Sequence, residues 1–545
     1  MKVNLGGDTG DYPAGCRWGV VASASIMPRP AGLNSIVLTT SVELLKDDLG
    51  KPLSREAVLQ RAFGDRYTVQ EIGVAVEAMT HLDTADWRLR KNGIDLAFVP
   101  SSGQLVAYRG SWRVAQPAGS VSWPALISRI PDGPVRDVIG EAVWVRALLP
   151  FATSQDRCDS FAVLNADAKT VARVRWREGS VQTPQERRLP VRVQVDPLRG
   201  YAADAAKVER RLTRATPLAA ARDTWFEALW AMPGLGPTAT ERFGMQRSQA
   251  ADLAVADALL GYLAEIEANV RGIVADIDTE YLHEFRVAVR RTRSVLKLLG
   301  DVLPDGLADR MAVEFRWLGD VTSPTRDLDV YLLGIDDMAQ LVARPGGLDA
   351  FAAHVRKRRA VEHRTLTRAL KSARFVELCA NWRIELAAVM SAPSRHRETA
   401  AQLAEERLRR IFRKATKRAR AITRESPSEQ VHSLRKTCKE MRYLLEVFKP
   451  LCNPKAYKDV ISDFKELQGV LGDFQDGEVQ AAALREFAQE MMSDSSVDAE
   501  TLLVMGELSA RFEVRQRRAR DTLTDRHEMY LGNRAAAHVD RLLKV

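Results

Sequence analysis

Hydrophobic and polar positions alternate with a period of two in five short stretches early in the chain: IDLAFV (94–99), QLVAYRGSW (104–112), VWVRALLPF (143–151), TVARVRW (170–176) and PVRVQVD (190–196). Successive side chains of a strand point to opposite faces, so each stretch predicts a half-buried strand, and the intervening Gly, Pro, Asp and Ser supply turns. SREAVLQRAFG (54–64) and AADAAKVERRL (202–212) read at helical spacing instead. Residues 1–215 are therefore expected to form an α+β unit with a mostly antiparallel sheet or barrel. Residues 216–249 hold a helical segment around DTWFEALW and then the Pro/Gly run MPGLGPTA, the best linker candidate. From residue 250 to 545 the period changes. ADLAVADALLGYLAEIEANVRGI, AAHVRKRRAVEHRTLTRALKSARF, LAEERLRRIFRKATKRARAI and VHSLRKTCKEMRYLLEVF repeat apolar residues every three or four positions, which predicts an all-helical bundle.

Sliding this half on itself exposes a repeat. His283, Arg286, Arg290 and Arg293 align with His432, Arg435, Lys439 and Arg442 at an offset of 149, and the same offset sets RDLDV on QDGEV, pairing Asp327 with Asp476. Two blocks in one ungapped register argue for a duplicated unit of about four helices.

At 100° per residue, positions 283, 286, 290, 293 and 297 fall within roughly an 80° sector of a helix. Phe285, Val289, Thr292, Leu296 and Leu299 form an apolar seam beside them, and Leu434, Cys438, Met441, Leu445 and Phe448 repeat that seam in the second copy. Two further stripes are expected: Lys357, Arg364, Arg368 and Lys371 after residue 351, and Arg409, Arg413, Lys417 and Arg420 after residue 405. Together the four helices are expected to line a common groove. Like charges in a file repel, so such a stripe lowers stability unless acids of a neighbouring helix or a polyanion compensate. Arginine donates bidentate hydrogen bonds to phosphate oxygens, and lysine supplies a point charge. A single basic stripe is more often a solvated face; its duplication points to a ligand. His283 and His432 fit a buried or capping role as well as a ligand-contacting one.

Composition adds little and excludes more. The formal net charge of +9 and a pI near 9.3 favour an anionic partner, modestly for 545 residues. The five cysteines, Cys16, Cys158, Cys379, Cys438 and Cys452, are scattered without a C-x-x-C pair, which fits neither a disulfide framework nor a thiolate zinc site and suits a reducing compartment. The N-terminus has no secretory pattern, and no apolar run approaches the roughly 18 residues of a spanning helix, so a cytoplasmic protein without membrane contact is expected. Phosphate-binding and dinucleotide-binding glycine loops, the H-E-x-x-H pair and the G-x-S-x-G elbow are absent from the sequence, so no cofactor is expected. Asp327 and Asp329 are expected to be ion-paired or capping rather than metal ligands.

HEFRVAVRRTRSVLKLL and HSLRKTCKEMRYLLEVF, each followed by LGD and by RDLDV or QDGEV, resemble the CHAD family over about residues 250–540. The resemblance implies two pseudo-symmetric four-helix halves whose basic surface binds inorganic polyphosphate without catalysis. It also implies an association with polyphosphate granules and their proteins. His283, Arg286, Arg290, Arg293, Lys297, His432, Arg435, Lys439 and Arg442 would contact the polymer, with Lys357, Arg364, Arg409, Arg413 and Lys417 as additions from the neighbouring stripes. Upstream, THLDTADWRLRKNGIDLAF resembles the CYTH family, a triphosphate tunnel, around Asp83, Thr84, Asp86, Leu89 and Gly93. A working tunnel needs glutamates to hold a divalent metal beside cationic clamps. SVELLKDD offers Glu43 without a partner in register, and Arg173, Arg175, Arg192 and Gln194 stand where acids are expected, so this domain reads as catalytically degenerate. Two rival functions are weaker. Nucleic-acid binding normally adds aromatic stacking platforms, which the stripes lack, and a metal-dependent triphosphatase is opposed by the missing carboxylates.

Overall fold

The computed structural model describes residues 36–40, 54–64, 66–110, 112–182, 186–232, 234–235, 245–394, 396–423, 425–493 and 497–542. They fall into two compact units, one between Ile36 and Leu235 and the other between Met245 and Leu542. Glu43, Cys16 and most of MPGLGPTA lie outside the described residues.

The first unit contains, in chain order, β1 (Ile36–Thr40), α1 (Arg55–Phe63), β2 (Thr68–Asp83), α2 (Arg88–Lys91), β3 (Asp95–Val99), β4 (Gln104–Arg109), β5 (Trp112–Pro117), β6 (Ala125–Leu126), α3 (Pro134–Val143), β7 (Ala147–Leu164), β8 (Thr170–Gln182), β9 (Arg187–Arg188), β10 (Val191–Pro197), α4 (Ala202–Ala215), β11 (Ala219–Ala220) and α5 (Trp225–Trp230). The strands form one sheet in the order β11-β1-β10-β8-β7-β2-β3-β4-β5, with β6 on β7 and β9 on β8, and every pairing is antiparallel. The alternation along β8 decides what covers each face. Ala172, Val174 and Trp176 are buried in one core with α1 and α4, while Val181 on the opposite face packs with Trp225, Phe226 and Leu229 of α5. A capping box at Thr224 starts α5, its side chain taking the Glu227 N–H while the Glu227 carboxylate takes that of Thr224. The VWVRALLPF stretch is a strand only from Ala147; Val143 ends α3.

The second unit is helical: α6 (Ala251–Val274), α7 (Thr279–Leu299), α8 (Leu307–Leu333), α9 (Ile335–Ala339), α10 (Leu348–Leu370), α11 (Ala373–Ser391), α12 (Ala400–Arg420), α13 (Ser428–Phe448), α14 (Pro454–Ser493), α15 (Ala499–Leu531) and α16 (Asn533–Arg541). The 149-residue offset relates α7 to α13 at both ends, and it relates the 3-10 turns that follow them, Gly300–Val302 and Lys449–Leu451. The sequence repeat is therefore a repeat of elements. One continuous core holds both halves, with Phe285, Phe315 and Trp382 from the first and Phe448, Phe464 and Phe474 from the second. The α+β expectation, a sheet followed by a helical bundle, is the observed class.

Candidate functional site

Helix α7 begins where Asp278 accepts hydrogen bonds from the Glu280 and Tyr281 N–H groups at 2.9 and 3.2 Å, satisfying donors that a helix start otherwise leaves open. Leu282, Phe285, Val289, Leu296 and Leu299 are buried along one side, which fixes how the helix is turned and sets the basic stripe on its flank. Helix α8 runs antiparallel beside it. Arg286 Nη1 donates to Gly319 O at 3.2 Å and to the hydroxyls of Thr322 and Ser323 at 2.9 Å each. From the other direction Arg326 Nη1 reaches Thr279 O at 3.4 Å. Arg290 lies over the Tyr443 ring, 5.4 Å from its centre. Arg293 is exposed and lies across Gly319, so close that a Cβ there would come within 2.6 Å of its Nη1.

Arg286, Arg290 and Arg326 act on the charge of His283. Burial, then the charge of Arg326, with smaller contributions from Arg290 and Arg286, push its pKa down to about 4 against an opposing pull from Glu280. At neutral pH the ring is uncharged, and the positive charge around it resides on guanidinium groups that do not titrate. Stripe arithmetic missed Arg326, which is 4% exposed. Its signal was its place in RDLDV, one residue before the Asp327 of the repeated block. In that block Asp329 accepts from Arg359 of α10, so it is ion-paired as expected.

The second copy sits differently. His432 Nε2 is 3.0 Å from Glu478 Oε2, and buried Arg435 has its Nη2 3.7 Å from Asp476 Oδ1. Arg442 Nε is 2.9 Å from Glu446 and its Nη1 lies 3.4 Å from Gln468 Oε1. Lys439 is half-buried on the same helix. Helices α7 and α13 meet antiparallel, with Lys297 Nζ 2.6 Å from Glu440 and Arg291 Nε 3.0 Å from Glu446. These two bridges are symmetry mates, because the offset carries 291 to 440 and 297 to 446.

Residues 257–485 match the model of the CHAD domain. The helical unit carries a CHAD domain. Two solved structures are similar: the crystal structure of the CHAD domain from the plant Ricinus communis, 24% identical over 55% of this chain and 98% of that one with a TM-score of 0.46, and PptA from Streptomyces chartreusis, 16% identical over 53% and 100% with a TM-score of 0.38. No curated protein matches by sequence. CHAD is a family linked to polyphosphate binding.

Within the CHAD domain the two further stripes lie on α10 and α12. Helix α10 buries Phe351, Val355 and Leu366 and turns Arg359 and His363 inward, where Arg359 grips Asp276 and Asp329. Lys357 and Arg364 lie about half a turn away, exposed on the outer side. Helix α12 buries Leu408, Phe412 and Ala415, leaves Arg413 and Lys417 exposed, and pairs Arg409 with Glu405 at 2.9 Å and Asp540 at 3.5 Å. Lys414, absent from the predicted set, approaches Glu440 at 3.9 Å.

In the first unit the THLDTAD segment is a structural brace. The Asp83 carboxylate accepts the Thr84, Leu89 and Arg90 N–H groups at 2.7, 2.9 and 3.0 Å, Thr84 Oγ1 donates to Asp86 at 2.7 Å, and Gly93 takes a φ of 68° that suits glycine. Arg192 donates to Asp223 O and Thr224 O at the start of α5, and Arg175 pairs with Asp196, to which Gln194 also donates; Arg173 is exposed. The sheet face toward α5 is filled by Trp225, Phe226 and Trp230, and His81 is buried there with its pKa lowered to about 3, by desolvation first. Among the described residues no three His, Cys, Asp or Glu side chains group as a metal site requires, and no helix is long and apolar enough to cross a membrane.

Proposed function

We propose that the CHAD domain binds inorganic polyphosphate without catalysis, along the face where α7 carries Arg286, Arg290 and Arg293 with the buried Arg326 of α8 behind them, and that this binding carries the protein to polyphosphate granules. The observation that supports this reading is the charge of three guanidinium groups acting on a neutral His283. Concentrating non-titrating charge beside a buried ring costs stability unless an anion offsets it. Planar donors spaced along a helix suit a ligand with many equivalent phosphates. Single-stranded nucleic acid would gain more from stacked rings, and the Tyr443 face is already taken by Arg290.

The test measures affinity for long-chain polyphosphate and for single-stranded DNA over a salt series. Polyphosphate is expected to bind tighter and to stay bound at moderate salt, and Arg286→Gln is expected to lower the salt slope by about one with helicity unchanged by circular dichroism. Equal affinity for both polymers would leave only a nonspecific polyanion surface and sink the proposal. Granule targeting is checked in cells, where the Arg286→Gln protein should disperse.

A further inference from the structure

We infer that the two halves of the CHAD domain are unequal: the first half holds the phosphate chain, and the equivalent face of the second is closed by its own side chains. The inference rests on the proposed function and assigns that function to one side of the repeat.

Three positions of the 149-residue register depart in the same direction. Where the first half has Gly319, Lys297 and Arg326, the second has Gln468, Glu446 and Gln475. Each exchange makes the first half more positive or leaves its cations less engaged. The structure shows what two of them do. At Gly319 there is no side chain, so the Arg293 guanidinium lies across α8 with no hydrogen bond or ion pair to any described residue. At the equivalent place Gln468 accepts from Arg442, while Glu446 takes the Nε of the same arginine. His432 and Arg435 likewise face Glu478 and Asp476. At Arg442 a phosphate chain would have to displace Gln468 and Glu446, whereas Arg293 has no hydrogen bond or ion pair to a described residue to give up.

Gly319 is thus a specificity-determining position. It leaves one arginine fork open two helical turns, about 10 Å, from Arg286. That spacing fits successive groups of a chain better than a single phosphate.

Binding of long-chain polyphosphate to the full-length protein is measured at several salt concentrations for wild type, Arg293→Gln, Arg442→Gln and Gly319→Gln. Arg293→Gln is expected to weaken binding about tenfold, as loss of one charge-assisted hydrogen bond does, and to lower the salt slope by about one. Arg442→Gln is expected to change affinity less than about twofold, its fork being engaged within the protein. Gly319→Gln, which restores the second half's acceptor without removing a charge, should weaken binding while leaving the melting temperature of the helical unit within a few degrees. If wild type binds no polyphosphate, the proposed function itself falls. If wild type binds and Arg293→Gln and Arg442→Gln weaken it alike, that function stands and the inequality of the halves is overturned. Should Gly319→Gln fail to fold, the comparison of the two arginines still decides.

Discussion

At His283 the protein places an ionisable ring where burial and three guanidinium groups all oppose its proton, and the consequence is a pH dependence of known sign. The free ring titrates near 4. An anion seated among the arginines offsets their field and raises that value, so binding takes up a proton only on the acid side. Polyphosphate affinity is expected to be flat from pH 8 to 7, to rise as pH falls toward 5, and to lose this rise in His283→Gln. A rise already complete by pH 7 would contradict the burial of the ring. At this scale the sequence showed which residues repeat but not their partners. Helical spacing located the stripe on α7 correctly, because the buried seam beside it fixes the rotation of the helix. It could not show that Glu478 and Gln468 would answer His432 and Arg442, since those contacts join separate helices.

Elements were legible where one physical period dominates. Strand β8 alternates cleanly from Ala172 to Trp176 because one face packs and the other does not, whereas β3 and β4 are buried on both faces and were legible as short apolar runs bounded by turns. Strand β2 escaped notice, and its burial explains why: residues 70–77 are exposed on both faces, so TVQEIGVA carries no alternation. The outward stripes of α10 and α12 were visible as stripes, but their direction depends on which side each helix buries against its neighbours. Two close approaches make element-level predictions. A Cβ on Gly179 in β8 would collide with the Trp225 ring and come within 2.6 Å of Asp156 Oδ1, so Gly179→Ala should loosen α5 and destabilise the first unit by about 1–3 kcal/mol, read by denaturant unfolding followed through tryptophan fluorescence. Asp278→Ala removes the cap of α7 and should cost about 1 kcal/mol, measured by urea unfolding of the helical signal.

Across the whole molecule, the repeat predicted from sequence is realised as two halves that meet through α7 and α13. Their seam carries Lys297–Glu440 and its mate Arg291–Glu446, the second less exposed than the first. Double-mutant cycles to alanine are expected to give a coupling below about 1 kcal/mol for the lysine pair and a larger one for the arginine pair, whose Arg291 is also 3.6 Å from Glu265. Equal couplings would mean that burial does not distinguish the mates. The charges on this seam also limit which halves can join. Two first halves brought together from different chains would set Lys297 against Arg291, and two second halves would set Glu446 against Glu440; only unlike halves place opposite signs face to face. Duplication followed by this divergence makes each half reject a copy of itself, so neighbouring molecules that fold side by side are discouraged from joining like half to like half.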